Sequence, residues 1–179
     1  MALLPILNID DPDLRVNCSS VKFIPEDFEE TLADMFDTMI THRGVGLSAP
    51  QVGIEKRFFL YTLDIESGEF WAVINPQIVS RSGLSIAEEG CLSYEGMCAE
   101  VARSFQIVVK YQDEHFKKIE RTIEGWEARI FQHEIDHLDG ILFVDRMEAG
   151  TLHPVKAPAP GEDEEAAAIE AANDVSIEM

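Results

Sequence analysis

The sequence predicts an α+β fold in which mostly antiparallel sheets pack around one central helix. Apolar residues recur at helical spacing in two distant stretches, residues 28–40 and 126–139. Runs of β-favouring residues lie between these two stretches. At 179 residues and 46% hydrophobic content, the chain can bury one core without disulfides or a partner subunit.

The first helix is predicted to follow Pro25, with acidic residues in its first turn. Its apolar stripe consists of Phe28, Leu32, Met35, Phe36, Met39 and Ile40. Gly44, Gly46 and Pro50 end this helix and form a glycine-rich loop before a buried strand at residues 58–63.

The middle of the chain is predicted to consist of strands. Candidates lie at residues 70–74, 78–79, 107–111 and 118–123, and the last two can pair as a hairpin. From Trp126 the pattern becomes helical again, with a stripe of Ala128, Phe131, Ile135 and Leu138. Gly140 stands where a left-handed cap would end this second helix.

The composition excludes several classes of function. A formal net charge of -20 argues against nucleic-acid binding, which needs clustered Lys and Arg. Three cysteines at irregular spacing favour a reducing compartment over a disulfide framework. The short apolar start has no basic leader, and no stretch is long enough to cross a bilayer. We therefore expect a cytoplasmic protein with no nucleic-acid or membrane partner.

The second helix carries the sequence HEIDH at residues 133–137, which matches the HExxH pattern of metallohydrolases. His133 and His137 lie one turn apart and present their imidazoles on one face. Glu134 is placed to take a proton from a water molecule at the metal. A surface helix with two solvated histidines is disfavoured because the apolar stripe buries this helix.

A catalytic metal site needs a third protein ligand, and the sequence offers several candidates. The metzincin pattern fails because Phe143 stands where its third histidine should be. Asp145 and Glu148 follow the helix too closely to return easily to the metal. Cys91, next to a glycine, offers a thiolate that binds divalent transition metals strongly, although Cys98 keeps the question open.

Three segments together resemble the peptide deformylase family. They are GVGLSAPQ at residues 44–51, EGCLS at 89–93 and QHEIDH at 132–137. The likeness extends from Ile6 to Arg146 and excludes the C-terminal end. It implies a hydrolase that removes the formyl group from the N-terminal formylmethionine of new polypeptides, acting in protein biosynthesis.

The resemblance also implies a role for each matching residue. Cys91, His133 and His137 would hold one divalent metal ion, and Glu134 would be the general base and acid. The Gln51 side-chain amide and the Leu92 backbone N–H would stabilise the oxyanion. Ferrous iron is the expected native metal, and zinc, nickel or cobalt would also suit a thiolate and two imidazoles.

The implied substrate is an N-formylmethionyl peptide. The backbone of Val45 and Gly46 would pair with it as with an added strand, and Gly90 and Ile130 are further substrate-binding candidates. Val45, Trp126 and Ile130 are candidates for an apolar methionine pocket, although core packing is the favoured role for Trp126. Asp136 could orient a ligand or could simply be solvated.

The sequence departs from the family pattern after Ser93, where Tyr94, Glu95 and Cys98 stand. We expect one catalytic domain at residues 1–147, followed at 148–179 by a proline-containing linker and an acidic, alanine-rich tail. RNA would repel this tail, so ribosome docking through it is not expected. A metallopeptidase and an inactive peptide or metal binder remain alternatives.

Overall fold

The computed structural model describes residues 2–155, which form two α-helices and eight β-strands. Helix α1 spans Phe28–Thr41 and helix α2 spans Gly125–Leu138. The strands are β1 Gly46–Ser48, β2 Phe58–Tyr61, β3 Trp71–Ser82, β4 Ser85–Gly90, β5 Met97–Arg103, β6 Gln106–Gln112, β7 Lys118–Glu124 and β8 His153–Pro154. Both predicted helices are confirmed to within a residue or two.

The strands form two sheets, and all neighbouring strands in each sheet are antiparallel. The larger sheet has the order β1-β2-β3-β6-β7, and the smaller one has the order β4-β5-β8. The predicted hairpin is confirmed, with Ile107 opposite Ile123 and Tyr111 opposite Ile119. The α+β prediction is therefore confirmed.

The sequence-based strand prediction differs from the structure in several places. Two predicted strands are parts of the single strand β3, whose register with β6 shifts between Ile74 and Gln77, where Pro76 cannot donate to the ladder, and again between Ile78 and Ser80. Strands β1, β4, β5 and β8 were not predicted. Much of β4 is exposed, so its sequence lacks the apolar alternation that identifies a half-buried strand.

Helix α2 lies in the main core and packs against one face of the large sheet. Phe131 meets Phe59 and Tyr61 edge to face, with ring centroids 5.2 and 4.9 Å apart. This packing fixes the helix that carries the HExxH motif. Trp126 is 54% exposed, so the expectation that it packs in the core is wrong. It lies in the first turn of α2, outside the buried stripe.

Strand β8 extends the small sheet beyond the predicted domain boundary. Cys98 lies opposite His153, and the Val155 N–H donates to the Gly96 carbonyl at 2.8 Å. The boundary at residue 147 stays a prediction. Residues 156–179, which contain most of the predicted tail, lie outside the described residues.

Candidate active site

Most of the predicted site residues line one cleft of about 610 Å³. It lies where α2, the loop after α1 and the end of β4 meet. Among its lining residues are Val45, Gly46, Gln51, Gly90, Cys91, Leu92, His133 and Glu134. A cleft of this volume is in the usual range for small-molecule sites.

Volume alone does not identify the site. A groove of about 590 Å³ lies elsewhere, between the segment around Val21 and the start of α1. Its lining is largely apolar and includes Phe23 and Phe28, with neither histidine nor cysteine. The predicted metal ligands Cys91 and His133 and the buried Glu134 line the cleft beside α2 and not this groove.

Cys91 follows β4 directly and faces the two histidines. Its Sγ lies 3.2 Å from His137 Nε2. Burial alone would raise the pKa of the Cys91 thiol, but His137 and His133 outweigh this effect and hold the pKa well below its usual value. The thiolate, which is the form that binds metals, is therefore favoured.

His133 is oriented by a buried carboxylate. Its Nδ1 lies 2.9 Å from Glu89 Oε2, which leaves Nε2 directed towards the cleft. Burial would lower the pKa of His133, but the hydrogen bonds with Cys91 and Glu89 raise it well above its usual value. A carboxylate on the second ring nitrogen is the usual means of orienting a metal-binding histidine.

Glu134 is 4% exposed and faces the backbone of β1. Burial raises the pKa of its carboxyl, an effect that His133 and His137 only partly offset. A side chain at residue 46 would collide with it, since an added Cβ on Gly46 would lie 2.9 Å from Glu134 Cδ. Gly46 therefore makes room for this carboxylate.

Gln51 is held by its carbonyl oxygen and presents its amide nitrogen to the cleft. Its Oε1 accepts from the N–H and the hydroxyl of Ser48, at 2.9 and 2.8 Å. Its Nε2 donates to Cys91 Sγ at 3.4 Å and to Ser93 Oγ at 3.3 Å. The short turn Ala49–Val52, which follows β1, fixes this orientation.

The remaining candidates differ in position. Leu92 starts a short turn immediately after Cys91 and lines the cleft, as do Val45 and Gly90. Ile130 is 4% exposed and packs in the main core, and it is not part of the cleft lining. The structure brings half-exposed Trp126 to the cleft instead.

Sequence reasoning missed a buried ionic network beneath the site. Glu89 accepts from Arg103 at 2.9 Å and from Arg129 at 2.6 Å, and Asp136 pairs with Arg103 and Arg146. Asp136 is therefore buried and paired, not solvated. Local periodicity gave no signal of this network, because Arg129 and Asp136 lie off the apolar stripe of α2 and their partners are distant in the chain.

The donor set fits a divalent transition metal ion. One atom each from Cys91, His133 and His137 lies within 4.8 Å of the other two. Tetrahedral zinc with ordinary bond lengths would need sulfur and nitrogen about 3.5 Å apart, close to the 3.2 Å between Cys91 and His137. No other described side chain hydrogen-bonds to buried His137 Nδ1 or Glu134 Oε2.

Comparison with known proteins identifies the family. The polypeptide deformylase family model matches residues 3–152. A peptide deformylase of Xylella fastidiosa is 43% identical over 148 residues, covering 81% of this chain and 87% of the relative. The crystal structure of the Thermotoga maritima peptide deformylase superposes with a TM-score of 0.78 at 42% identity, covering 83% of this chain and 99% of that one.

A third relative was solved with a peptide. The Met-Ala-Ser-bound peptide deformylase of Acinetobacter baumannii has a TM-score of 0.75 at 33% identity, covering 82% of this chain and 99% of its own. Among residues 2–155, no helix is long and apolar enough to span a membrane. With matches over most of each chain, this protein belongs to the polypeptide deformylase family, the metal-dependent hydrolases that remove the formyl group from N-terminal formylmethionine.

Proposed function

We propose that Cys91, His133 and His137 hold the metal ion with which this deformylase works, and that ferrous iron is its native metal. The observation that carries the proposal is the convergence of one thiolate and two imidazoles beside a buried glutamate. The same donors would accept zinc, nickel or cobalt. Cys98 is not a competing ligand for this site, since it lies opposite His153 in the small sheet.

Glu134 moves the proton in this proposal. The bound ion supplies Lewis-acid polarisation and a lowered pKa for the attacking water. Glu134 takes the proton that this water loses as oxygen adds to the formyl carbon. It then returns the proton to the departing amine, so that the products are formate and a peptide with a free N-terminal methionine. A carboxyl whose pKa is raised by burial is suited to both transfers.

Gln51 and Leu92 stabilise the oxygen that becomes negative during the addition. The Gln51 amide nitrogen already points towards Cys91. It therefore needs no rearrangement to donate to a substrate oxygen beside that residue. The Leu92 N–H is next to Cys91 in the chain, at the start of a turn that lines the cleft. Two donors held before the reaction starts stabilise charge without a reorganisation cost.

The substrate binds as an extended strand along β1. This strand is at the edge of the large sheet, with β2 on one side and the cleft on the other. The backbone of Val45 and Gly46 can therefore pair with any peptide sequence. The Met-Ala-Ser found in the Acinetobacter baumannii relative supports a peptide in this cleft. Val45 and Trp126 offer apolar surface for the methionine side chain, and Gly90 and Ile130 stay candidates for substrate contact.

The ligand set can be tested by comparing three cysteine variants. Protein purified anaerobically with ferrous iron is assayed for formate release from formyl-Met-Ala-Ser. We expect Cys91→Ser to lose at least about 100-fold in turnover, because a neutral hydroxyl binds the metal poorly. Cys18→Ser, a matched change at another buried thiol, should keep the parent rate. Full activity in Cys91→Ser with loss in Cys98→Ser would refute the assignment.

A further inference from the structure

The outer face of the small sheet carries a second group of metal-binding side chains. Glu88 lies on β4, Cys98 on β5 and His153 on β8, with one donor atom of each within 4.8 Å of the others. Glu88 is adjacent to Glu89 in the chain, so its side chain points to the opposite face from the catalytic cleft. The group is therefore separate from the site formed by Cys91 and the two histidines of α2.

The distances within this group suit a metal ion. Cys98 Sγ lies 3.6 Å from Nδ1 and 3.7 Å from Nε2 of His153, and Glu88 Oε1 lies 2.8 Å from Nε2. Sulfur and nitrogen around tetrahedral zinc are about 3.5 Å apart. Because Sγ is almost equally far from the two ring nitrogens, it lies over the face of the ring. Rotation of the Cys98 side chain, with a small widening of the contact between Glu88 and His153, would bring all three donor atoms around one ion.

The hydrogen bonds of His153 indicate which nitrogen would bind the ion. Nδ1 lies 2.9 Å from the Pro154 carbonyl oxygen, which can only accept, so Nδ1 carries a hydrogen. Nε2 then faces the Glu88 carboxylate, which in its ionised form also only accepts. A cation must lie between them, either a proton on the ring or a metal ion. A histidine held through Nδ1 by a backbone carbonyl is a usual metal-ligand arrangement.

We propose that Glu88, Cys98 and His153 form a second site for a divalent transition metal ion, with zinc as the expected occupant. Binding would release the Cys98 thiol proton to solvent as the thiolate forms its bond to the ion. A thiolate, an imidazole and a carboxylate select zinc or a neighbouring transition metal over magnesium or calcium. The strongly negative chain also favours cation binding.

The ion would attach β8 to the rest of the small sheet. Strand β8 has two residues, and the next residue, Val155, lines the catalytic cleft. A bond from His153 to an ion shared with β4 and β5 would hold this rim of the cleft in place. The ion's role would therefore be structural, with Glu88, Cys98 and His153 as its ligands among the described residues.

Metal stoichiometry tests the proposal. The reduced full-length chain is stripped with chelator, dialysed against zinc, and analysed for bound metal after gel filtration. We expect two ions per chain in the parent and in Cys18→Ser, and one ion in Cys98→Ser. His153→Gln should also bind one ion. Because His153 is partly exposed, this variant is less prone to misfold than Cys98→Ser and provides an independent test. One ion in the parent, or two ions in both Cys98→Ser and His153→Gln, would overturn the proposal.

Cobalt absorption gives a second readout that does not depend on enzyme activity. In Cys91→Ser, thiolate-to-cobalt charge-transfer absorption should persist, because Cys98 still supplies a thiolate. Adding Cys98→Ser should abolish the absorption, whereas adding Cys18→Ser should leave it. Absorption that is absent from Cys91→Ser, or that depends on Cys18, would contradict the second site.

Discussion

At the scale of single residues, the catalytic site depends on how each polar side chain is held before substrate arrives. Gln51 illustrates this, since Ser48 binds its carbonyl oxygen and thereby turns its amide nitrogen towards Cys91. The orientation removes the ambiguity between amide oxygen and nitrogen that an isolated glutamine would have. In the proposed function, the residue would donate a hydrogen bond at the point where negative charge develops.

Replacing Gln51 tests that role. We expect Gln51→Ala to lower turnover by about 10²- to 10³-fold, the usual effect of removing one oxyanion donor. Iron content should equal that of the parent, because the three metal ligands are unchanged. Formate release and iron content are measured on the same preparation. Equal turnover in variant and parent would rule out the donor role.

The buried thiol of Cys18 should make the unfolding free energy depend on pH, independently of the active site. Burial is the main cause that raises the pKa of this thiol from 9.0 to about 11, against the opposing effect of Arg57. The unfolded chain loses the thiol proton at lower pH than the folded chain. The stabilisation is therefore present below pH 9 and is lost as the pH rises to 11.

The corresponding measurement is denaturant unfolding at several pH values between 9 and 11. The parent should lose about 1–2 kcal/mol more of its unfolding free energy across this window than Cys18→Ala does. Comparing the two proteins cancels the other groups that titrate there. Identical pH profiles would show that the thiol is not shielded from water.

Residue-level prediction from sequence worked best where chemistry fixes the spacing. His133 and His137 had to lie on one face of a helix, and the structure places them there. The side chain of Trp126 was misplaced because helical spacing does not show where the buried stripe begins. Arg129 was overlooked because its partner, Glu89, is 40 residues away in the chain.

At the scale of elements, the site depends on the close approach of β1 to α2. Gly46 allows this approach, since any Cβ there would meet the Glu134 carboxylate. The glycine loop could have been only a tight turn between helix and strand. In the structure it also leaves the space that Glu134, the proposed general base, occupies.

Substituting Gly46 should therefore impair catalysis with little effect on metal binding. Gly46→Ala pushes Glu134 out of position, and we expect turnover to fall roughly 10- to 100-fold, as is usual for a misplaced catalytic group. Iron content and melting temperature show whether the site and the fold are intact. A variant with parental turnover would mean that Glu134 tolerates displacement.

A second contact between elements is the ionic network that joins β4, β5 and α2. Glu89 on β4 accepts hydrogen bonds from Arg103 on β5 and from Arg129 and His133 on α2. Burial alone would raise the pKa of Glu89, but His133 and Arg103 outweigh this effect and lower it. The carboxylate thus both joins the small sheet to α2 and orients His133, a proposed metal ligand.

Glu89→Gln should affect stability and metal affinity together. The change leaves buried Arg129 without its charge partner and leaves Arg103 with Asp136 alone, which costs about 3–5 kcal/mol of unfolding free energy. Loss of the carboxylate behind His133 should weaken metal binding about 10- to 100-fold. Denaturant unfolding with chelator and metal competition measure the two effects separately. Exposed Glu100→Gln is the control, and matching behaviour of the two variants would contradict the account.

The elements show what periodicity can and cannot reveal. Both helices and the β6–β7 hairpin follow from one-sided apolar patterns, and the structure has them at the expected places. Strands β4 and β5 were missed because charged Glu89 and Arg103 share their buried face with apolar Ala99 and Val101, so the apolar alternation is broken. Their pairing depends on contacts between distant segments, which local patterns do not encode.

At the scale of the whole molecule, the active site forms where the two sheets meet across α2. Gly46 lies on β1 of the large sheet, and Gln51 lies in the turn after β1. Cys91 directly follows β4 of the small sheet. Helix α2 supplies the two histidines and Glu134. The three family motifs are far apart in sequence because each belongs to a different structural layer, and only the folded chain joins them.

The C-terminal tail stays a prediction at this scale. Beyond the described residues, positions 156–179 contain seven acidic residues and one lysine. Such a segment is expected to be repelled by RNA, so attachment to the ribosome through it is not expected. All proposed ligands, donors and proton carriers lie within residues 2–155, and deformylation should not require the tail.

The most direct test of the central claim is formate release from formyl-Met-Ala-Ser by Glu134→Gln, with Glu124→Gln as the control. Both variants are purified anaerobically with ferrous iron, and their iron content is measured alongside. We predict that Glu134→Gln binds iron as the parent does but releases formate at least about 100-fold more slowly. Glu124→Gln, changed at an exposed position just before α2, should match the parent. Parental turnover in Glu134→Gln would contradict the account.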